Sequence, residues 1–481
     1  MAAGLGASWH AIGPTTFWYG DLIQRDNRTC RGSAFGGNPP SHKTEAWRDL
    51  REHFEWLGLS FVRVEIDARM YEPEREQFSW HNEEMQALYS ILDTCQANAA
   101  DVFFTQMWQD VAWNSHPGIC RLQSSPRSVA DFANGLATLL EHLIKTKGYS
   151  CIRWIAVSNE PGFGSCWWLG PDGKPDSIMP AVRALRAELD RRGLSDLAIS
   201  GPDTHGLDWA GMEPHDPAIG ALSLHAYEGE VPKKFDELVA IDRPGVPRFI
   251  SEFGHFFMAD YRGQNFPLGG PESEAPHSWS AQLLNAEKIL TGLNAGIDGM
   301  IRWSFANRGD LDGGWQLVRT WDPVRWEYLD RVVPESTAYF GFGVITRFAA
   351  KHSSILEIES LGGNKGRSGS SISTKRGEKI LATALRSPAG ELTIFLLNLE
   401  SEDVTAVVEL SGAAAAWPTR PLWIYQVTEA AVRRSDFKLQ PSAASYLNES
   451  ANKISVVLPA RSITTCSTIK RLPEESANIR S

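Results

Sequence analysis

The chain of 481 residues is too long for one ordinary domain, and 42% hydrophobic against 22% charged residues leaves ample apolar material for a large core. A formal net charge of −11, with no basic cluster anywhere, argues against a nucleic-acid or anionic-membrane partner. Neutral polar ligands such as sugars suit that balance. The 18 tryptophans, all but Trp417 and Trp423 before residue 330, supply rings that pack in cores and stack on sugar faces alike.

The opening Met1-Ala2-Ala3-Gly4-Leu5-Gly6 has neither the charged start nor the apolar stretch of a signal peptide, so a cytoplasmic location is expected unless a leader has been removed. No window reaches transmembrane length. A first strand is expected between Trp9 and Tyr19. From residue 44 to 347 amphipathic helices then alternate with short apolar strands. Helix Thr44–Leu57 precedes strand Phe61–Ile66, helix Asn82–Gln96 precedes Asp101–Gln106, and helix Val129–Lys147 precedes Ile152–Val157. Helix Ile178–Arg191 leads to Leu197–Ser200, followed by strands Ala221–His225, Pro247–Ser251 and Gly299–Trp303. Helix Ser280–Leu293 precedes the last strand, and helix Glu335–Phe348 follows it. Continuous apolar runs belong to strands buried on both faces, and eight such repeats predict a closed (β/α)₈ TIM barrel over residues 1–349. An open doubly wound sheet is the alternative, but no Gly-rich phosphate turn follows any strand.

Past residue 350 the texture changes. Gly362–Arg376 reads as a loop. Segments Ile380–Leu385, Glu391–Leu397, Val404–Leu410, Leu422–Val427, Ile454–Leu458 and Ser462–Thr468 then alternate with period two. They predict a C-terminal antiparallel β-sandwich over 350–481, most simply a buttress on the barrel. The cysteines show no metal-ligand spacing. Cys95 and Cys151 read as buried thiols, while Cys30, Cys120 and Cys166 lie in predicted loops where a disulfide remains open.

In a (β/α)₈ barrel the working residues sit at the carboxyl ends of the strands. Reading those ends in order gives Arg63 in the second strand, Trp108 and Asp110 after the third, and Asn159 and Glu160 after the fourth. Asp203 and His205 follow the fifth, His225 and Tyr227 the sixth, Glu252 the seventh and Trp303 the eighth. A carboxylate ending a buried strand is costly to desolvate unless something offsets it. Two of them facing one cleft would equip a double displacement at a sugar, with one attacking and the other moving a proton. Arg63 and Tyr227 are expected to hold Glu252 as a carboxylate, although Arg63 could instead neutralise Glu65. Glu160, beside neutral Asn159, has no evident cation next to it and is expected to keep its proton. Trp108, Trp113, Trp167, Trp168, Trp315 and Trp321 belong to loops at the expected mouth, and Asp110 and Asp203 divide between ligand contact and loop capping.

Asn159-Glu160-Pro161 after strand four, Glu252 after strand seven, His225-Ala226-Tyr227 between them, Arg63 and Trp303 together resemble clan A of the retaining glycoside hydrolases. That clan includes the cellulase-like family 5, family 30 and the xylosidase-like family 39. The likeness covers residues 9 to 347, and the trailing sandwich is similar to the accessory domains of families 30 and 39. The resemblance implies that Glu252 is the nucleophile and Glu160 the general acid, then the general base. It implies that Asn159 binds the sugar 2-hydroxyl and Trp303 forms the floor beneath the ring. His225 and His205 would be hydroxyl ligands or groups behind them. No cofactor and no metal are expected, since no paired ligand set stands at any strand end. A carbohydrate is the expected partner, exo action is favoured by the aromatic loops, and homo-oligomerisation stays open. A transglycosylase with the same glutamate pair, or a non-catalytic carbohydrate-binding barrel, are the alternatives.

Overall fold

Eight parallel strands close on themselves in a computed structural model of the chain. They are β1 (Gly4–Trp9), β2 (Phe61–Asp67), β3 (Asp101–Trp108), β4 (Ile152–Ala156), β5 (Ala198–Thr204), β6 (Ile219–Ala226), β7 (Arg248–Phe253) and β8 (Gly299–Asn307), with β8 returning to pair with β1. The structure describes residues 1–12, 37–162, 168–207, 211–227, 231–254, 277–307, 315–322, 325, 327–358, 379–410, 421–445 and 453–471. It also describes the backbone of the short strands at 22–25, 28–31, 258–259, 265–266 and 372–373. The helices around the barrel are α1 (Thr44–Leu57), α2 (Glu83–Ala97), α3 (Val129–Glu141), α4 (Met179–Arg191), α5 (Val231–Ala240), α6 (Trp279–Asn294) and α7 (Ser336–Thr346).

Local chemistry sets the helix ends. The side chains of Asn82, Ser128 and Ser278 accept the backbone N–H of Met85, Asp131 and Ala281, as N-caps should. Gly58 ends α1 in the left-handed conformation, φ 62°, that glycine adopts freely. The strands are buried along most of their length, Arg153 on β4 being the exposed exception, because one face fills the barrel and the other meets the helices. Ala3, Phe61, Phe103, Ala156, Ala221, Phe249 and Ile301 form an apolar plug inside. Val62, Val64, Phe104, Leu222, Leu224 and Ile250, one residue out of phase, pack outward. Two residues further along the inward face of β2 and β3, the plug gives way to Arg63, Glu65 and Thr105. A polar layer therefore sits on an apolar one, at the carboxyl end of the barrel.

Three differences from the sequence reading stand out. The first strand is Gly4–Trp9, earlier than expected, and most of Trp9–Tyr19 lies outside the described residues. It reads poorly because Gly4 and Gly6 dilute its apolar run, yet a Cβ on Gly6 would meet the Phe61 carbonyl oxygen at 1.5 Å, so the close approach of β1 to β2 needs glycine. Helix α5, which the sequence reading passed over, spans Val231–Ala240 between β6 and β7. The expected helix to Lys147 is α-helical only to Glu141 and closes in a π-helical turn, His142–Thr146.

Beyond the barrel, β8 pairs with β9 (Val318–Asp322), which pairs antiparallel with β10 (Glu327–Pro334). The C-terminal strands are β11 (Ser354–Leu356), β12 (Ile380–Arg386), β13 (Leu392–Asn398), β14 (Val404–Glu409), β15 (Leu422–Val427), β16 (Ala443–Ser445), β17 (Lys453–Leu458) and β18 (Ser462–Ser467). One sheet runs β11-β12-β13-β18-β15-β16, and β14 and β17 form a separate ladder facing it. Inside the predicted loop, Ile372–Ser373 adds a short strand to β12. Ile380, Ala382, Ile394, Leu396 and Ile424 pack against Ala406, Ile454 and Val456 of the ladder. The opposite face of the large sheet, with Leu381, Leu385, Phe395, Leu397, Tyr425 and Ile463, merges into the barrel's own core. Thr465 Oγ1 donates to Val344 O on α7 at 2.6 Å, and Trp279 Nε1 on α6 donates to Arg461 O at 2.8 Å. The sandwich thus grips the two helices that flank β8. Because Phe395 is fully buried at this junction, Phe395→Ala is expected to cost about 3–5 kcal/mol. Urea denaturation followed by tryptophan fluorescence will measure it, and a loss under about 1 kcal/mol would mean the two parts are not packed as one core.

Candidate active site

Arg63 is fully buried at the centre of the polar layer, and all five of its N–H groups are directed at acceptors. Its Nε donates to Thr105 Oγ1 at 2.9 Å, Nη1 to Glu65 Oε1 at 2.7 Å and Glu252 Oε2 at 2.9 Å, and Nη2 to Asn159 Oδ1 at 2.6 Å and Asp203 Oδ2 at 2.9 Å. Burial opposes the charge, but Asp203, Glu65 and Glu252 more than offset it and hold the guanidinium firmly protonated. Behind Glu65, His10 Nδ1 lies 2.9 Å from Oε2.

Asp203 ties β5 to this centre. Its Oδ2 also accepts Thr105 Oγ1 at 3.0 Å, and its Oδ1 accepts Ser251 Oγ and lies 3.2 Å from His225 Nε2. Burial would raise this carboxyl, but Arg63 and then His225 hold it well below the ordinary range. Neighbouring residues Ser251 and Glu252 both point inward, a departure from strand alternation. The pairing of β6 with β7 slips between Leu224 and His225, which sets His225 beside Glu252.

Glu160 and Glu252 meet on His225. Its Nδ1 lies 2.9 Å from Glu160 Oε1 and 3.7 Å from Glu252 Oε2. Those two distances together bound the gap between the carboxylates at the lower edge of the roughly 6.5–9.5 Å that leaves room for an intervening water. Tyr227 Oη donates to Glu252 Oε1. A second histidine, His205, places Nε2 2.9 Å from the same Glu160 Oε1.

The sequence reading is right in geometry and wrong in charge at this point. Arg63 and Tyr227 do touch Glu252, and Arg63 touches Glu65 as well. Glu160, however, is not without a cation: burial would raise it, but the hydrogen bonds from His205 and His225 overcome that and keep it well below the ordinary range. Glu252 moves the other way, raised by burial and further by Glu160, against the pull of His225 and Arg63. His225, which burial alone would lower, is pushed up to about 10 by Glu252 and by its bonds to Asp203 and Glu160. The balance in the free site therefore favours a proton on His225 over one on Glu160. Arg153 pairs with Asp101 and Arg183 with Glu213 and Asp216, so neither engages Glu160.

The remaining candidates divide. Trp303 is 6% exposed and stands edge-on to His10, ring centroids 4.7 Å apart. Asn159 gives its carbonyl oxygen to Arg63, leaving the amide end for any ligand. Trp108 is buried in the core, and its carbonyl accepts Gln106 Nε2 at 2.6 Å. Asp110 belongs to an ion cluster with Arg69 Nε at 3.3 Å and Arg121 Nε at 3.7 Å, away from the two glutamates' partners. Of the mouth tryptophans, Trp315 comes within 6.4 Å of the Tyr227 ring. Trp113 and Trp168 donate to Glu72 O and Ser177 O, Trp321 packs on Tyr328, and Trp167 lies outside the described residues.

Sequence reasoning missed Thr105, Ser251, His10 and Lys288. Strand parity would have found the first, two residues beyond Phe103 on the same inward face. Lys288 carries no such signal: it is fully buried on α6, and its Nζ donates to Gly254 O at 2.5 Å, fixing the turn just after Glu252. Among the described residues, Glu160, His205 and His225 offer ligand atoms within 4.8 Å of one another, a spacing that could hold a metal ion. The two nitrogens are already accounted for by hydrogen bonds to one carboxylate oxygen.

No family model and no curated protein match the chain by sequence. Solved structures share its fold. The catalytic domain of a GH30 xylanase C from Talaromyces cellulolyticus matches at TM-score 0.60 and 14% identity, over 97% of this chain and 96% of that one. A GH30 endoxylanase from Clostridium papyrosolvens C71 matches at TM-score 0.59 and 13% identity, over 97% and 96%. A GH51 arabinofuranosidase from Xanthomonas axonopodis pv. citri matches at TM-score 0.54 and 13% identity, over 97% of both chains. At such identities the likeness is one of fold, a barrel with its trailing sandwich.

Removing the central cation exposes the logic of the layer. Arg63→Met leaves Glu65, Asp203 and Glu252 facing one another, at an expected cost of about 3–5 kcal/mol near neutrality. Thermal melts across pH give the sign. Carboxyls held low, as Asp203 and Glu160 are, stabilise the wild type above the ordinary carboxylate range near pH 4 and cease to do so as pH falls through their folded values. In the variant the crowded carboxyls are raised instead, so its melting temperature should climb as pH is lowered from 7 toward 5. A parallel pH profile for both proteins would refute this account of the layer.

Proposed function

We propose that this chain is a retaining glycoside hydrolase that cleaves O-glycosidic bonds through a glycosyl-enzyme intermediate. The observation that carries the reading is one imidazole nitrogen within reach of both carboxylates, with Arg63 and Tyr227 fixed on the carboxylate at 252. In the first step a Glu252 oxygen attacks the anomeric carbon, the bond to the leaving oxygen breaks, and that oxygen takes a proton from Glu160. In the second, Glu160 takes a proton from water, the water oxygen bonds to the anomeric carbon, and Glu252 departs as a carboxylate. Tyr227 and Arg63 donate to Glu252 throughout, so the carboxylate that leaves has its partners waiting. Asn159, its oxygen held by Arg63, can turn its amide toward the sugar 2-hydroxyl, and Trp303 offers a flat apolar wall beside it.

The fold neighbours named as xylanase and arabinofuranosidase put pentosides first among the sugars to try. Exo action on an oligosaccharide or glycoside is our reading of the aromatic loops after the third, fourth and eighth strands. Cys120 is disulfide-bonded, and a disulfide suits an oxidising compartment better than the cytoplasm, so secretion is the location we infer. A panel of aryl pyranosides and furanosides of both anomers identifies the substrate. Proton NMR of the first-formed product should show net retention, and inversion would end the double-displacement scheme. Glu252→Ala should lose about 10⁴-fold or more in kcat, with partial rescue by azide. Undiminished turnover in that variant would remove Glu252 from the mechanism.

A further inference from the structure

Two imidazole nitrogens converge on one carboxylate oxygen, an arrangement that favours the ionised carboxylate when both donate. His205 and His225 both address Glu160 Oε1 at 2.9 Å, one through Nε2 and one through Nδ1. The two differ in freedom. His225 is completely enclosed, with Nε2 against Asp203, itself bonded to Arg63. The His205 side chain keeps 9% exposure, against none for His225, and stands on the turn directly after β5. Two backbone outliers fix the pair: Glu160 and Asp203 both lie in the left-handed region, φ 44° and 56°, and the Glu160 N–H donates to Asp203 O at 2.9 Å. Non-glycine residues in that region persist only where their surroundings enforce it, commonly at working sites.

We propose that His205 is a positioning residue that sets, through its hydrogen bond to Glu160 Oε1, the pH at which that carboxyl carries a proton. It is not a sugar ligand through Nε2, which Glu160 already engages. Among the described residues, the charged and titratable groups around Glu160 besides His205 are His225 and Tyr227 from β6, Glu252 on β7, and, one step removed, Asp203 on β5 and Arg63 on β2. Glu252 favours a proton on Glu160, His225 disfavours it, and Arg63 and Asp203 act through Asn159 and His225. Of all these only His225 shares Oε1 with His205, and His225 is pinned from behind by Asp203. His205 is therefore the member whose removal changes the balance without dismantling the layer. The consequence for chemistry is a stronger acid toward the leaving oxygen, with the proton present over a more acidic range.

The kinetic part of this rests on the glycosidase reading, and the decisive measurement does not. The full chain is labelled with carboxyl ¹³C glutamate, the Glu160 resonance is assigned through Glu160→Gln, and its titration is followed by NMR. In His205→Ala the Glu160 midpoint should rise by about one unit or more, a tenfold change in proton affinity. His205→Gln, which retains an N–H donor, should restore part of it and serves as the readout if the alanine variant does not fold. With the aryl glycoside that the panel identifies, the basic limb of kcat/KM should move up by the same amount, since Glu160 then holds its proton to higher pH. A Glu160 midpoint unmoved in folded His205 variants overturns the proposal whatever the activity. Absence of turnover on every glycoside, with the midpoint shifted, would instead sink the hydrolase reading and leave this one standing.

Discussion

A single buried guanidinium organises the carboxyl end of the barrel. Arg63 reaches side chains delivered by β2, β3, the end of β4, β5 and β7, and each acceptor is one the strand geometry could not otherwise leave unpaired. Desolvating three carboxylates together would be prohibitive without it, and desolvating the guanidinium would be equally so without them. The cost of this arrangement is that the layer stands or falls together. What it provides is placement: five N–H groups in a fixed planar fork set Asn159, Asp203 and Glu252 relative to one another with little rotational latitude. Glu160 and His225 then take their positions from Asp203, and the distances between the catalytic candidates follow from a cation that touches only one of the two glutamates.

Much of this was legible in the chain. Apolar runs gave the barrel strands, because strands buried on both faces need apolar residues at every position, and the polar interruptions fell where the plug gives way to the site. Arg63 could be suspected because a charged residue inside Phe61–Asp67 has no solvent to face. The sandwich strands read from their period of two, although in β13 both faces turn out buried, one on the ladder and one on the barrel helices. Strand β1 was hidden because its glycines serve a backbone contact rather than a hydrophobic pattern. Helix α5 was hidden because Pro232 and two lysines near its start break the pattern of a clear amphipathic beginning.

What the sequence could not convey was which carboxylate each histidine would meet. His205 and His225 are 45 and 65 residues from Glu160, and their convergence depends on slips in the β5–β6 and β6–β7 pairing and on two left-handed residues. A one-residue change of register turns a side chain to the opposite face, so such slips decide chemistry while leaving no periodic trace. Lys288 is the same lesson from outside the barrel. It acts on the turn after Glu252 from a helix whose other side is held by the sandwich, so the accessory sheet bears on the site through packing rather than through any residue of its own.

The inverted polarity of the two glutamates is compatible with the roles assigned to them, because the roles concern the loaded site. In the mechanism we propose, a sugar entering between the carboxylates displaces water from around Glu252 and brings partial positive charge toward it as the anomeric bond opens, which favours the anion that burial alone disfavours. On the other side, the leaving oxygen becomes basic only as its bond to carbon stretches. The imidazoles that hold Glu160 ionised in the free site are then the groups that receive its charge when it gives up a proton, so the cost of protonating it first is offset in the step that follows. The same bonds weaken Glu160 as a base toward water in the second step. Under the mechanism we propose, the site gains in breaking the glycosidic bond what it forgoes in hydrolysing the intermediate, and among the described residues His225, 2.9 Å from Glu160 Oε1 and 3.7 Å from Glu252 Oε2, is placed to act on both sides of that exchange.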